Sequence, residues 1–286
     1  MVRLLRELVR PLLLILYFLL ILSSTSSAQK VAVITPEKGS FTKAFTPEFE
    51  SKLADRLKIL DADLAEAAYR SVSPQTPFNL SADEAKEIGA AVGCDAFIFV
   101  RAETQRRSSF EREKYFETAA PIYVVSSRTG RLIFWKLQKF EAGSAAKSEQ
   151  ALFDSAEALA VEIADRIKSA IKSEIAEPGP TSIESVPDEN SPEAKNFRAP
   201  IPYRRIKPDY TALAAFYNIA ATVEITVELD ASGTIQRTEI TRWAGYGLDE
   251  SVEKAVRQMN WRPAERSGKT LPMRFLLRYN FKKLDQ

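Results

Sequence analysis

Residues 221–229, ATVEITVEL, alternate apolar and polar side chains without a break. Successive side chains of a strand point to opposite faces, so Val223, Ile225, Val227 and Leu229 share one face and Glu224, Thr226 and Glu228 the other. A strand with one apolar face must be covered, and the next sixty residues supply the cover. Asp230–Gly233 reads as a turn into a second strand carrying Ile235 and Ile240. Leu248, Val252, Ala255 and Met259 then recur at helical spacing, with Asp249, Glu250 and Glu253 near the helix start, where negative charge complements the dipole. Pro263 lacks an amide hydrogen and disfavours helix at the residue before it, so it is expected to stop this helix. After a turn at Ser267-Gly268, Leu271, Met273, Phe275, Leu277, Tyr279 and Phe281 predict the inward face of a third strand, with Trp261 closing the helix onto the sheet. The outcome is a β-β-α-β unit around one small core.

Upstream, EPGPTSIESVPDENSPEAKN (177–196) concentrates Pro, Ser, Gly and acidic residues and has almost no large apolar side chains. Such a segment cannot bury a core and predicts a flexible linker; fully extended, its twenty residues would reach roughly 60 Å. The expected division is therefore an α/β domain over 29–175, a linker over 176–197 and the β-β-α-β domain over 198–286.

The first domain alternates strands and helices. KVAVIT (30–35) reads as a buried strand, and Phe45, Phe49, Leu53 and Leu57 mark a helix after it. Asp61 suits an N-cap, Ser81 with Glu84 forms a capping box, and Gly93 ends that helix before the strand-like run that follows Cys94. Thr129-Gly130 between two β-rich runs signals a hairpin. Leu152, Ala156, Leu159, Ile163, Ile167 and Ile171 form the stripe of a long terminal helix. The fold class expected is α+β, with a mixed sheet in the first domain.

Composition removes most catalysts. The chain has no histidine and one cysteine, which excludes Ser-His-Asp and Cys-His nucleophiles, His-ligated zinc, an internal disulfide and Cys-cluster metal sites. No catalytic residue, cofactor or metal site is expected, and the protein is not expected to be an enzyme. Cys94 reads as a small packed hydrophobe and Arg106, Arg107 and Arg112 as a solvated hairpin loop.

The N-terminus has the pattern of an export signal over residues 1–28: Arg3, Arg6 and Arg10, an apolar run at 12–22, then small residues with Ser26 and Ala28 at cleavage-type positions. A spanning helix needs about 20 apolar residues, and this run is shorter. The expected location is the periplasm, with an uncleaved inner-membrane anchor facing the periplasm as the alternative. Without residues 1–28, basic and acidic side chains are equal in number, which argues against a nucleic-acid partner. Basic residues exceed acidic ones over 198–286 and acidic exceed basic over 29–197, a pattern that fits two ordinary solvated surfaces or a C-terminal part that meets an acidic partner or an anionic membrane surface.

The C-terminal unit resembles the C-terminal domain of the TonB family over about 207–283. The residues that carry the resemblance are Pro208-Asp209-Tyr210, the alternating strand with its turn at Asp230–Gly233, LDESVEKAV at 248–256, the aromatic-x-Pro-Ala of Trp261–Ala264, Gly268, and the last strand ending at Phe281. Thr211 and Ala221 stand where that family commonly has proline and glycine. The first domain resembles the N-terminal domain of TolB and the CsgG-like envelope proteins, through a strand entered from a Gly-ended helix at 93–100.

What the TonB resemblance implies is mechanical: a short peptide from an outer-membrane receptor, or from another envelope protein, adds as a strand to the edge at 271–281. The partner-binding residues it implies are Lys207, Pro208 and Asp209 beside that edge and Arg274, Leu276, Arg278 and Asn280 on it. It also implies energy-coupled transport across the outer membrane, with a separate motor complex as a further partner. Transducers of that kind carry a histidine-bearing anchor and a long Pro-rich spacer, whereas this chain has no histidine and a globular domain in the spacer's place. A non-transducing periplasmic scaffold or assembly protein is therefore the alternative.

Overall fold

The computed structural model describes residues 29–177 and 183–282. The expected export signal and part of the expected linker lie outside these residues. Among the described residues no helix is long and apolar enough to cross a membrane.

The N-terminal half runs β1 (Lys30–Ile34), α1 (Ser40–Ala54), β2 (Lys58–Ile59), α2 (Ala62–Val72), α3 (Ala82–Val92), β3 (Ala96–Val100), β4 (Glu103–Arg107), β5 (Tyr115–Ser126), β6 (Leu132–Ala142) and α4 (Ala145–Ala176). The sheet order is β2-β1-β3-β5-β4, with β6 also paired to β5. It is mixed: β1 lies parallel to β2 and β3, and β5 is antiparallel to β3, β4 and β6. The near-continuous apolar runs of β1 and β3 follow from burial on both faces. Val31, Val33, Ile98, Ile122 and Val124 meet α1 and the stripe of α4, including Leu152, Leu159 and Ile163. The other face presents Ala32, Ile34, Phe97, Phe99, Tyr123 and Val125 to α2, α3 and the C-terminal half.

Local signals set the helix ends. The Asp61 side chain accepts from the Leu64 amide at 3.0 Å. Ser81 Oγ accepts from the Glu84 amide at 3.2 Å while the Glu84 carboxylate accepts from the Ser81 amide at 2.7 Å, a complete capping box. Gly93 is left-handed at φ 73°, as the end of α3 requires.

The C-terminal half comprises β7 (Phe197–Arg198), β8 (Ile201–Pro202), α5 (Ala212–Phe216), β9 (Ala221–Leu229), β10 (Ile235–Arg242), α6 (Leu248–Arg257), β11 (Trp261–Arg262), β12 (Ala264–Arg266), β13 (Lys269–Leu271) and β14 (Met273–Phe281). An antiparallel sheet of order β10-β9-β14 carries the core, in the register Phe275 opposite Val227 and Leu277 opposite Ile225. The β-β-α-β order is as expected, and the fold is α+β.

Two details differ from expectation. The helix α6 ends at Arg257, well before Pro263, which lies between β11 and β12. The early stop lets Met259 and Trp261 both turn into the core, where Trp261 lies tilted against Phe275 with ring centres 5.0 Å apart. The segment after Ser267-Gly268 is two strands, because Pro272 separates β13 from β14; the long edge therefore begins at Met273 rather than at 271. Ser267 and Gly268, both left-handed at φ 50° and 80°, make the tight turn between β12 and β13.

The two halves are packed together. One continuous cluster joins Tyr69, Leu80, Phe97, Phe99 and Tyr123 to Val223, Ile225, Trp243, Tyr246 and Val252. Trp243 is 1% exposed, lies 5.4 Å from the Tyr123 ring, and donates from its indole to the Gly130 carbonyl at 3.3 Å. Asn79 donates to the carbonyls of Thr222 and Trp243, both at 2.7 Å, and accepts from the Thr222 amide at 2.9 Å. Arg242 pairs with Glu84 at 3.2 Å and Arg131 with Glu239 at 2.7 Å. The loop 243–247 that plugs into the N-terminal half is fixed by Asp249, whose oxygens accept from the Ala244 and Gly245 amides at 2.9 and 2.8 Å. Burial pushes this carboxyl up to about 7, against the pull of those two amides.

Candidate protein-binding edge

β14 pairs on one side with β9 and closes the sheet. In an antiparallel ladder a residue's amide and carbonyl point to the same side, and that side alternates along the strand. Arg274 shows which residues look outward: its amide donates to the Glu184 carbonyl at 2.8 Å, and its carbonyl accepts from the Val186 amide at 3.0 Å. Leu276, Arg278 and Asn280 have the same parity, so their backbone groups also point off the sheet. Among the described residues no backbone group bonds to them from that side.

Side chains sort differently. Arg274, Leu276, Arg278 and Asn280 project to the face opposite the core, as expected, but three are engaged there. Arg274 pairs with Glu228 through bonds of 3.0 and 2.6 Å, Arg278 donates to Glu224 at 2.7 Å, and Asn280 accepts from Thr222 at 2.8 Å. These contacts explain how Glu224 and Glu228 become buried, at 7% and 5% exposure: each carboxylate holds a guanidinium from the neighbouring strand. Leu276 makes none of these contacts and is 52% exposed.

On the core-facing side of the edge runs an apolar groove of about 560 Å³, bounded by Ile201 and Pro202 on one wall and Trp261, Phe275, Leu277 and Tyr279 on the other. Arg205 and Lys207 add basic side chains to its lining. Burial pushes the Tyr279 phenol up. Lys207 and Pro208 thus flank the groove, and the next residue, Asp209, is exposed, its backbone carbonyl accepting from Ser251 Oγ at 2.9 Å. Thr211, where the resembled family commonly has proline, caps α5 by accepting from the Ala214 amide at 3.0 Å and donates to the Tyr246 carbonyl at 2.6 Å, tying this segment to the junction loop.

Sequence reasoning missed two groups here. Glu184 and Val186 lie in the stretch read as flexible linker, yet Ser185 forms a parallel bridge with Arg274. Arg266 holds the Glu184 carboxylate with both terminal guanidinium nitrogens, one bond being 3.1 Å, and this keeps the carboxyl below its ordinary range. Ile183-Glu-Ser-Val186 does not alternate, so the sequence carried no periodic signal for a strand there.

Comparison with known proteins bears on the same segment. Residues 206–283 match the family model described as Gram-negative bacterial TonB protein C-terminal. No curated protein sequence matches the chain. Among solved structures, the hypothetical protein CT253 from Chlamydia trachomatis is 12% identical, with 49% of this chain and 99% of that one covered and a TM-score of 0.34. The TonB C-terminal domain of Pseudomonas aeruginosa is 18% identical, covering 37% of this chain and 99% of that one, with a TM-score of 0.28. Lipoprotein GNA1162 from Neisseria meningitidis is 16% identical, covering 52% and 98%, with a TM-score of 0.32. The family match spans β9, β10, α6 and the outward edge of β14, and residues 206–283 of this chain are a TonB C-terminal domain.

Proposed function

We propose that this chain is a periplasmic protein of the cell envelope that binds other envelope proteins by taking an extended segment of the partner as an added strand on β14. The observation that carries this reading is the bridge at Arg274, where a segment outside the sheet already bonds to the outward edge. Backbone pairing supplies the attachment and the groove beside Phe275 and Leu277 the side-chain selection. Lys207, Pro208, Asp209, Arg274, Leu276, Arg278 and Asn280 are the residues assigned to it. The role is one of binding and not catalysis.

Energy-coupled transport across the outer membrane is the process that the TonB C-terminal domain supports. A non-transducing scaffold is supported by a different observation, the shared core, which fixes the domain to the N-terminal half. A pull-down from envelope extract tests the edge: Leu276→Pro, lacking an outward amide hydrogen, loses the partners, and Leu276→Thr keeps them. Retention by a folded Leu276→Pro variant moves the interaction off β14. Mass spectrometry of the mature N-terminus separates the two processes: a start at Gln29 supports the scaffold, and an intact N-terminus in the inner membrane supports transduction.

A further inference from the structure

The sheet of the N-terminal half has a long free margin at β6. Ser126 fixes the parity of the β5–β6 hairpin: its amide donates to the Arg131 carbonyl and its carbonyl accepts from the Gly130 amide, both at 2.9 Å, so the even-numbered residues of β5 turn their backbone groups toward β6. Phe134, Lys136, Gln138 and Phe140 stand opposite those residues and bond back to β5, whereas Trp135, Leu137 and Lys139 point their amides and carbonyls off the sheet. Among the described residues no backbone group outside β5 bonds to β6. Exposed edges are ordinarily guarded by proline or by lysines held out over them. β6 has no proline, and its lysines are drawn aside, Lys136 to Glu162 of α4 at 2.6 Å and Lys139 to Glu141 at 3.0 Å. Both faces of the strand are covered up to this margin. Phe134 and Phe140 pack on the core shared with α4, and the Trp135 ring lies 4.9 Å from that of Tyr246 in the junction loop.

We infer that β6 is a dimer contact: a second copy of the chain lays its β6 antiparallel along the first, with Leu137 opposite its own copy, and the two sheets become one. Two-fold pairing of antiparallel strands requires one residue to face itself, because the axis stands perpendicular to the sheet and side chains directly opposite share a face. Centring on Lys136 or Lys139 sets like charges opposite each other. Centring on Trp135 runs at once into the irregularity at Ile133, and centring on Gln138 sets each lysine against an apolar side chain. Centring on Leu137 sets Phe134 opposite Phe140, Trp135 opposite Lys139 and Lys136 opposite Gln138. Aromatic then meets aromatic on the α4 face, a cation meets an indole on the other, and no like charges oppose. The same register brings the outward backbone groups of Trp135, Leu137 and Lys139 onto those of Lys139, Leu137 and Trp135. Ala158, one turn before Glu162 on the flank of α4 beside β6, is exposed and small, which leaves room above the middle of the strand for the second copy.

The test is the mass of the full chain in mild detergent, measured by light scattering after size exclusion at micromolar concentration; twice the chain mass is expected. Leu137→Pro deletes an outward donor and leaves the ladder with β5 whole, so its dissociation constant is expected to rise about tenfold or more, the effect of one hydrogen bond lost on each side of the axis. Leu137→Lys sets two ammonium groups across the axis and is expected to be a monomer, whereas Leu137→Val stays a dimer. Circular dichroism checks that each variant is folded. The register is read by cysteine pairing: opposite residues of a hydrogen-bonded antiparallel pair have Cα atoms about 5.5 Å apart, within disulfide reach, so Leu137→Cys is expected to give a covalent dimer on mild oxidation and Glu141→Cys is not. Cys94 is buried and does not compete. A monomer at every concentration overturns the inference and leaves the edge to some other protein or to solvent. A dimer that persists in folded Leu137→Pro and Leu137→Lys overturns the β6 contact, and a covalent dimer through Glu141→Cys in place of Leu137→Cys overturns the register.

Discussion

Replacing Trp243 with alanine tests whether the two halves share a core. The indole is 1% exposed, and its surroundings come from both sides of the junction: the Tyr123 ring at 5.4 Å, the Gly130 carbonyl at 3.3 Å from its nitrogen, and the Leu80 carbonyl, which accepts from the Trp243 amide at 3.3 Å. Deleting a buried aromatic costs about 3–5 kcal/mol through lost burial and the cavity left behind. The Gly130 carbonyl also loses a donor, which places Trp243→Ala toward the upper end of that range. Trp243→Phe retains most of the ring contact and is expected to cost less. Urea unfolding followed by circular dichroism measures the loss, and hydrogen exchange locates it. If the packing is right, amides in 78–82 and 122–131 lose protection although they lie more than a hundred residues from the substitution in sequence. A cost below about 1 kcal/mol refutes the burial. A large cost with unchanged exchange in those two segments shows that Trp243 packs only within its own half.

Trp261→Ala is expected to destabilise by about 3–5 kcal/mol in the same assay, since the ring is 4% exposed and lies against Phe275; a loss under about 1 kcal/mol contradicts its place under the sheet. Burial and the neighbouring Glu66 push the Glu50 carboxyl up to about 7 from 4.5, so the folded state disfavours its charged form, and stability present below pH 4.5 is lost as pH rises through about 7. Glu50→Gln should therefore melt at the same temperature as the unaltered chain at pH 4 and higher at pH 8; an equal offset at both pH values rules the titration out.

How much of this fold can be read from sequence depends on whether the deciding interaction is local. The alternation of β9, the capping box at Ser81, the Thr129-Gly130 hairpin and the stripe of α4 are set by neighbours a few residues apart, and each forms where its pattern stands. Pro263 misled because a helix also stops where its next residues are needed elsewhere, and here Trp261 is drawn down to Phe275. Glu224 and Glu228 look solvent-facing until the arginines of β14 are laid beside them, some fifty residues later. The junction had no periodic signal, since Trp243–Tyr246 is a loop whose shape is set by Asp249. The bond between 184–186 and Arg274 is made by backbone atoms, which every residue but proline carries in full, and composition is blind to it.

The Glu184–Val186 rung has a kinetic meaning as well as a structural one. This segment cannot drift far from β14, because a few residues later Phe197 and Arg198 are laced to β12. A tethered segment of this kind acts at an effective concentration on the order of millimolar. When thermal motion breaks the rung, the segment is therefore back against Arg274 without waiting for a diffusional encounter. One end of β14 stays latched to the strap that leads into the domain, while the outward backbone of its far end, at Arg278 and Asn280, has no such latch.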